Sequence, residues 1–491
     1  MIMFRPLMVL ASLVTLGAIS PVRSSVDSRP NFVVIFIDDM GYGDIEPFGS
    51  TENRTPHLRR MAEEGMRLTS FYVASPVCTP SRAALMTGCY PIRVGLAYGS
   101  DHLVLFPGDS HGLHPGERTL AELLQEAGYA TGCFGKWHLG DQPGFLPTDQ
   151  GFETYFGIPY SNDMWPHHPN KSWPFPPLPL MRDTTVEGVV DDLEAQGKLC
   201  QQFTEAAVQF IRENRERPFF VYLPHAFVHH PRHARDSFLR KAEEPGIDWE
   251  AAGERSGSRE EAVKTRAQIE EVDWSVGEVL ETLRALKLDR KTLVLFTSDN
   301  GGARGCDNGP LRGRKGTPFE GGMREPTLAW WPGSIPAGSA NHEMMTTMDI
   351  LPTFTRLAEA ELPEDRMIDG FNIAPLLLGS PHATSPTKAF YYYQRDQLKA
   401  VRSGPWKYFA SGELYHLEKD IGETRDVANQ HGQVVAQMKR RLERARVDLG
   451  DGQRKGANTR PVGIARHPRT LLPRPGATGE EAFTPTLLVR P

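Results

Sequence analysis

Four short apolar runs, each followed by polar residues and set between helical patterns, constrain this chain more than any other feature. They cover residues 32–37 (FVVIFI), 129–135 (YATGCFG), 218–224 (PFFVYLP) and 292–298 (TLVLFTS). Their length and β-branched content fit strands buried on both faces, which in a parallel sheet read as continuous apolar runs. Between them, Thr55-Pro56 offers an N-cap and a proline at the first helical position. Leu58 and Met61 supply the inner face and Gly65 the stop. Residues 119–127 repeat the device, with Thr119 as cap and Gly128 as stop. A helix over about 199–213 leads into the third run. A longer one over 259–287 carries Ile269, Val272, Val276, Val279, Leu280, Leu283 and Leu286 at helical spacing. Strands alternating with helices predict an α/β fold: a large, mixed, mostly parallel sheet sandwiched by helices.

The ends of the chain differ from this middle. Arg5, an apolar stretch over 7–19, and the small residues Ala18 and Ser20 read as a secretory signal peptide over 1–24. The run is short for a membrane span, and no other stretch is apolar enough to be one. The expected protein is therefore exported, to a periplasmic, lysosomal or extracellular location, with no membrane attachment after signal cleavage. The large α/β region is expected over 25–378. Beyond it, AFYYY, AVRSGPWKYFA and GELYHLE are short, aromatic and separated by turns. With a helix at about 432–447 they predict a small C-terminal antiparallel sheet plus helix over 379–450. The Arg-, Pro- and Gly-rich tail, 451–491, is expected to be poorly ordered or loosely draped. Residues 165–180 read as a long loop. A net charge of −6 without a long basic run gives no reason to expect nucleic acid or an anionic membrane as partner. The five cysteines (Cys78, Cys89, Cys133, Cys200 and Cys306) are too few for a disulfide scaffold. Their number is odd, so at least one thiol lacks an intrachain partner. Asn53 and Asn170 fit the N-glycosylation pattern.

The chemistry lies after the strands. The first run ends in Asp38-Asp39 and the second near Lys136 and His138. The third leads to His225, His229 and His230, and the fourth ends in Asp299-Asn300. Ligands of open α/β sheets bind outside the carboxyl ends of the strands, so parallel strands would bring all four sets to one edge. Alone, Asp38-Asp39 would read as a turn or helix cap. Adjacent buried carboxylates repel unless a cation sits between them, and Asp299-Asn300 adds a third carboxylate and an amide oxygen. Hard oxygen ligands suit Ca²⁺ or Mg²⁺ rather than zinc, and several carboxylates lean toward Ca²⁺. The segment PVCTPSRAALMTG (76–88) places Thr79 as an N-cap, Pro80 as the first helical residue and Gly88 as the stop. Cys78 is thus expected just ahead of a helix N-terminus, where anions bind. Arg82 in the first turn opposes the dipole, which makes sense with an anion between the two. Singly, these would be a buried cysteine and a surface arginine. Lys136, His138 and Lys315, the last in the glycine-rich GRKGTPFEGGMREP, complete a cationic set. The histidines over 225–233 match no familiar zinc spacing.

At these residues the chain resembles the formylglycine-dependent sulfatases of the alkaline-phosphatase superfamily, nearest the arylsulfatase A and galactosamine-6-sulfatase group. CTPSR (78–82) is similar to the family's first signature and GYATGCFGKWHLG (128–140) to its second. LPTDQGF (146–152) and PYS (159–161) extend the likeness. The resemblance implies that a formylglycine-generating maturation enzyme oxidises Cys78 to 3-oxoalanine (formylglycine). One hydroxyl of its hydrate attacks sulfur, and the other then expels sulfate. It implies that Asp38, Asp39, Asp299 and Asn300 hold one cation together with residue 78, and that Arg82 and Lys136 brace the nucleophile. His138 resembles the base that deprotonates the hydrate. His229 and Lys315, with Ser161, resemble the residues that hold sulfate and assist the leaving oxygen. His229 is chosen by its spacing from Pro231, so His225 and His230 stay open. ELYHLEKDI (413–421) resembles the family's closing strand motif, with His416 and Ile421 departing from it. The implied activity is hydrolysis of a sulfate ester, on a sulfated carbohydrate or an aryl sulfate. Two other readings are a phosphate ester hydrolase of the same superfamily and a non-catalytic binder of sulfated glycans.

Overall fold

The computed structural model describes residues 29–243 and 249–486, so the expected signal peptide lies outside the described residues. The main sheet has eleven strands. In chain order they are β1 (Asn31–Ile37), β2 (Met66–Tyr72), β3 (Ala130–Lys136), β4 (Thr154–Ile158), β5 (Leu178–Arg182), β6 (Thr185–Val190), β7 (Phe219–Pro224), β8 (Thr292–Ser298), β9 (Arg324–Trp330), β10 (Ser339–Asn341) and β11 (Met345–Thr346). The spatial order is β10-β2-β9-β8-β1-β7-β3-β4-β5-β6, with β11 beside β2. The four runs singled out from the sequence are β1, β3, β7 and β8. They lie side by side at the centre and are parallel throughout. In register, Ile37 is opposite Ser298 and Phe36 opposite Pro224, so these strands end on one edge. The sheet turns antiparallel at both flanks, where β9 pairs with β8 and β2, and β5 with β4 and β6.

Side-chain alternation along β1 explains the layers. Val33, Ile35 and Ile37 point to one face, Phe32, Val34 and Phe36 to the other, and all are fully buried. The first face packs under α1 (Pro56–Glu64), through Leu58 and Met61, and under two longer helices. These are α4 (Leu193–Glu213), through Leu199 and Phe203, and α5 (Arg259–Ala285), through Ile269, Val272 and Val276. The second packs under α2 (Cys78–Thr87) and α3 (Leu120–Glu126). Each such side chain, fully buried, contributes roughly 1.5–3 kcal/mol.

The helix ends refine the sequence reading. Thr119 and Glu122 form the reciprocal capping box of α3: Thr119 Oγ1 accepts from the Glu122 amide at 3.1 Å, and Glu122 Oε2 from the Thr119 amide at 2.7 Å. Thr55 does not cap α1. Its hydroxyl accepts instead from the Glu46 amide, and the free amides of His57 and Leu58 donate to Asp273 of α5 at 3.2 and 2.8 Å. A carboxylate from a neighbouring helix does the capping here. Gly88 closes α2 in the left-handed region, with φ 65°.

The C-terminal unit is a four-stranded antiparallel sheet in chain order: β12 (Phe390–Gln394), β13 (Gln397–Ser403), β14 (Trp406–Phe409) and β15 (Leu414–His416). It carries α6 (Gly432–Asp448), packed through Met438, Leu442 and Ala445. The tail beyond 451 differs from its expectation, since its described residues dock on the large region. The Arg460 amide donates to Arg93 O, its guanidinium to both oxygens of Glu117 (2.7 and 2.8 Å), and Gly463 pairs with Gly112. Composition hides this because glycine provides the fit: a Cβ on Gly463 would lie 2.7 Å from the Phe145 ring. The loop expected over 165–180 gives way at Leu178 to the β5–β6 hairpin. Among the described residues, no helix is long and apolar enough to cross a membrane.

Candidate functional site

The carboxyl ends of β1, β3 and β8 deliver Asp38, Asp39, Lys136, His138, Asp299 and Asn300 to one buried centre. Asp38 Oδ2 lies 2.5 Å from Lys136 Nζ, while its Oδ1 has no hydrogen-bond partner. Asn300 Nδ2 donates to Asp39 Oδ1 at 2.8 Å, and Asn300 Oδ1 is likewise buried without a partner. Buried oxygens left unpaired are costly unless a further ligand completes them. Asp39 holds φ 65°, in the left-handed region sparsely used by residues other than glycine. Burial pushes Asp299 up to about 7, and the neighbouring charge of Asp38 adds to this. Burial alone would also raise Asp38, but Lys136, His229 and Arg82 together pull it well down. Ligand atoms of Asp38, Cys78 and Asp299 lie within 4.8 Å of one another, as do those of Asp38, Asp39 and His229. Unpaired hard oxygens beside mutually repelling carboxylates fit an oxygen-loving divalent cation.

Cys78 faces this centre from α2. The helix begins two residues earlier than Thr79 as cap predicts: Cys78 is its first residue and extended Val77 the cap. Val77 O already accepts from the Ser81 amide at 3.2 Å, and Thr79 Oγ1 turns away to accept from the Leu105 amide. Pro80 is still tolerated, because the first four helical amides need no intrahelical acceptor. Arg82 is fully buried and satisfied within the protein. It donates to Asp299 Oδ2 through Nη2 (2.7 Å) and Nε (3.1 Å), and to Lys136 O at 2.8 Å. A carboxylate from β8, rather than a bound anion, offsets its charge. Burial pushes the Cys78 thiol up to about 11, despite nearby Lys136 and Lys315. A thiol so placed stays protonated at neutral pH and is a weak nucleophile.

The remaining cations close over Cys78. Lys315 Nζ lies 2.6 Å from Asp39 Oδ1 and 3.8 Å from Cys78 Sγ, and Lys136 Nζ donates to Ser161 Oγ at 3.1 Å. His138 sits at φ 61° with Nε2 3.0 Å from Leu105 O. A carbonyl can only accept, so Nε2 carries the proton and the buried, unpartnered Nδ1 is a bare base. Burial, then Lys136 and Arg82, hold this imidazole well below its ordinary range, hence neutral. Of the three histidines left open, His229 faces the centre, with Nε2 3.7 Å from Asp39 Oδ2. His225 turns to Ser275 Oγ on α5 (2.9 Å), and His230 lies 4.0 Å from Glu261. Cys78, His138, Ser161, His229 and Lys315 line a cavity of about 280 Å³. Sequence reasoning looks to loops such as 98–116 and 160–182 for the rim, but does not name His102, Phe106, Trp173 and Phe175, nor the Leu105 carbonyl that sets the His138 tautomer. These sit on loops without periodicity. The pairing of His102 with Phe106 (ring centroids 4.3 Å apart) leaves no spacing signature. A second cavity of about 810 Å³ shares Asp163 and His168 with the first.

An oxygen-lined cation pocket, flanked by fixed cations and opening on a small cavity, belongs to the class of hydrolases that cleave esters of tetrahedral oxyanions. Comparison with known proteins narrows the class. Residues 30–360 match the model of the sulfatase family, and 315–448 match that of the N-sulphoglucosamine sulphohydrolase C-terminal region. The chain is 38% identical to N-acetylgalactosamine-6-sulfatase of Canis lupus familiaris over 412 residues, 80% of this chain and 74% of the relative. It is 38% identical to arylsulfatase A of Homo sapiens over 418 residues, 80% and 77% of the two chains. Among solved structures, Ps i-CgsB in complex with k-i-k-neocarrahexaose superposes with TM-score 0.73 at 28% identity, covering 85% of this chain and 92% of the other. The PsFucS1 sulfatase from Pseudoalteromonas sp. also superposes with TM-score 0.73, at 27% identity, covering 85% and 89%. The chain belongs to the sulfatase family. It is a sulfuric ester hydrolase of a metal-dependent kind.

Proposed function

We propose that Cys78 is matured to formylglycine, that its hydrate is the nucleophile, that the cation is a single Ca²⁺, and that the substrate is a sulfated carbohydrate. The observation that carries this reading is the setting of Cys78. Its thiol is buried and kept protonated, yet its sulfur lies beside the carboxylates of Asp38 and Asp299 and two lysines, a setting suited to an oxygen nucleophile. Asp38, Asp39, Asp299 and Asn300, with matured residue 78, would hold the ion. When bound, it would lower the pKa of a hydroxyl of the hydrate and offset the carboxylate charge.

The chain's own residues then divide the work. Lys136 and Arg82 hold residue 78 in place. Lys315, His229 and Ser161 face the sulfate oxygens, where preorganised donors stabilise developing charge. One hydroxyl of the hydrate, its proton given up to solvent, forms a bond to sulfur as the bond from sulfur to the ester oxygen breaks. The leaving alkoxide takes a proton from His229 or Lys315. The second hydroxyl then gives its proton to His138 Nδ1. The bond from the residue 78 carbon to the sulfate oxygen breaks, and the aldehyde returns as sulfate leaves. Exported sites such as the periplasm, lysosome or extracellular space, and dependence on a formylglycine-generating enzyme, follow from the same reading. The carbohydrate assignment rests on the relatives: one is named N-acetylgalactosamine-6-sulfatase, and one solved neighbour binds a carrahexaose.

Mass analysis of the peptide bearing residue 78 tests this. A loss of about 18 Da is the change from thiol to aldehyde, and it should track turnover of 4-nitrophenyl sulfate across preparations. Full activity with an intact thiol would overturn the covalent reading. A preference for 4-nitrophenyl phosphate would overturn the sulfate chemistry.

A further inference from the structure

We propose that Arg395 reads a second anionic group on the substrate, so that this enzyme prefers sulfated sugars bearing a further sulfate or carboxylate over singly charged ones. The inference deepens the sulfated-carbohydrate reading and rests on it.

Arg395 comes from the C-terminal sheet, at the turn joining β12 to β13, where Gln394 pairs with Gln397. It nevertheless lines the same cavity as Cys78, His229 and Lys315. Its backbone is fixed on three sides. Arg395 itself holds φ 57°, Gln394 Nε2 donates to Gly316 O at 2.6 Å, and Asp396 O accepts from the Gly452 amide at 2.8 Å. The Gly316 contact ties the turn to the loop that carries Lys315, and the Gly316 amide in turn donates to Pro76 O beside the nucleophile helix. The turn that carries the arginine is therefore anchored to the loop of Lys315.

Its charge is unmatched where theirs is matched. Lys136 is paired with Asp38, Lys315 with Asp39 and Arg82 with Asp299. Among the described residues, the exposed guanidinium of Arg395 is in no ion pair. Besides the paired Lys315, the cavity wall carries Asp163, which lies 3.8 Å from His168 Nε2, on the side shared with the wider cavity. A second anion would be repelled at Asp163 and met by a forked cation at Arg395. The same cavity is lined by Phe106, Trp173 and Phe175, which suit the apolar face of a pyranose ring. Arginine binds planar and tetrahedral oxyanions through two parallel N–H bonds, so it can accept either a carboxylate or a sulfate.

The test compares kcat/KM for three substrates: a monosulfated neutral hexosamine, the same sugar carrying two sulfates, and a monosulfated disaccharide with a uronate neighbour. Wild-type enzyme should favour one or both dianionic substrates. In R395A the ratio of dianionic to neutral kcat/KM should fall on the order of tenfold or more through KM, as expected for a lost charge-assisted bond. R395K should restore part of it, and the arm that responds distinguishes sulfate from carboxylate. An unchanged ratio, or a parallel fall on all three substrates, would overturn the inference. Failure of wild-type enzyme to turn over any sulfate ester, 4-nitrophenyl sulfate included, would instead remove the reading beneath it and this inference with it.

Discussion

Arg82 places two of its nitrogens on a single oxygen of Asp299, at 2.7 and 3.1 Å, with both side chains fully buried. The pair fixes the end of β8 against α2 and thereby sets the distance between the Asp299 carboxylate, a proposed cation ligand, and residue 78. Breaking a buried pair from one side leaves an uncompensated charge and costs about 3–5 kcal/mol. Arg82→Ala should therefore lower stability by that amount and abolish turnover. Arg82→Lys should keep part of the stability but lose the double contact. Urea unfolding of the two variants checks this; wild-type stability in Arg82→Ala would show that the pair does not hold these elements together.

His138 leads to a different kind of outcome. Its bare Nδ1 is assigned to the step that releases sulfate, after the alcohol has left. His138→Ala should still release about one equivalent of alcohol per active site and then stall, since covalent catalysis separates the two steps. A burst in rapid-mix assays, with one sulfate retained on the peptide bearing residue 78, is the expected result. Loss of the burst itself would move His138 to the first step.

The parts legible in the sequence share a physical cause. β1, β3, β7 and β8 are buried on both faces, so their apolar runs stand out, and the polar residues at their ends mark the site edge. β9 escapes that reading because its first two residues are charged yet buried. Arg324 donates to Thr69 O and reaches Glu320, and Glu325 is enclosed among other groups. β5 and β6 escape it because a half-exposed hairpin at a sheet edge carries little apolar contrast. Asp38, Lys136 and Asp299 could be named because a strand end delivers each. Arg395 could not, because only tertiary packing brings the C-terminal turn over Lys315. His229 could be chosen by its spacing from Pro231, but setting aside His225 and His230 needs the loop path, which spacing does not encode.

The unpaired oxygens of Asp38 and Asn300 predict that folding and activity share one ion. A ligand that binds only the native state adds about 2.7 kcal/mol at a hundredfold excess over its Kd. Treatment with a Ca²⁺-selective chelator should lower both Tm and turnover, and Ca²⁺ should restore both more effectively than Mg²⁺. Asp38→Asn should blunt the Tm response. Recovery by Zn²⁺ in place of Ca²⁺ would contradict the oxygen-ligand assignment.

The last prediction concerns the joint between the two sheets. Glu320 is fully buried beneath the C-terminal sheet. It accepts from Tyr72 Oη at 2.5 Å, Tyr392 Oη at 2.7 Å and Lys407 Nζ at 3.1 Å. Burial would raise its pKa, but Lys407, Arg324 and Arg402 outweigh that and bring it down to about 2. The folded state thus favours the ionised form. Its stabilising effect is complete above the ordinary glutamate range and is lost as pH falls from about 4.5 through about 2. The loss is on the order of 3 kcal/mol. Glu423, 2.8 Å from the other side of Lys407, is pushed up by burial and runs in the opposite sense. Glu320→Gln isolates the first effect: it should be less stable than wild type at neutral pH and lack this part of the acid response over that range. Urea midpoints measured from about pH 5 to about pH 2 should converge for the two proteins. Parallel curves would mean that the acid response lies elsewhere and that Glu320 does not carry the charge at this joint.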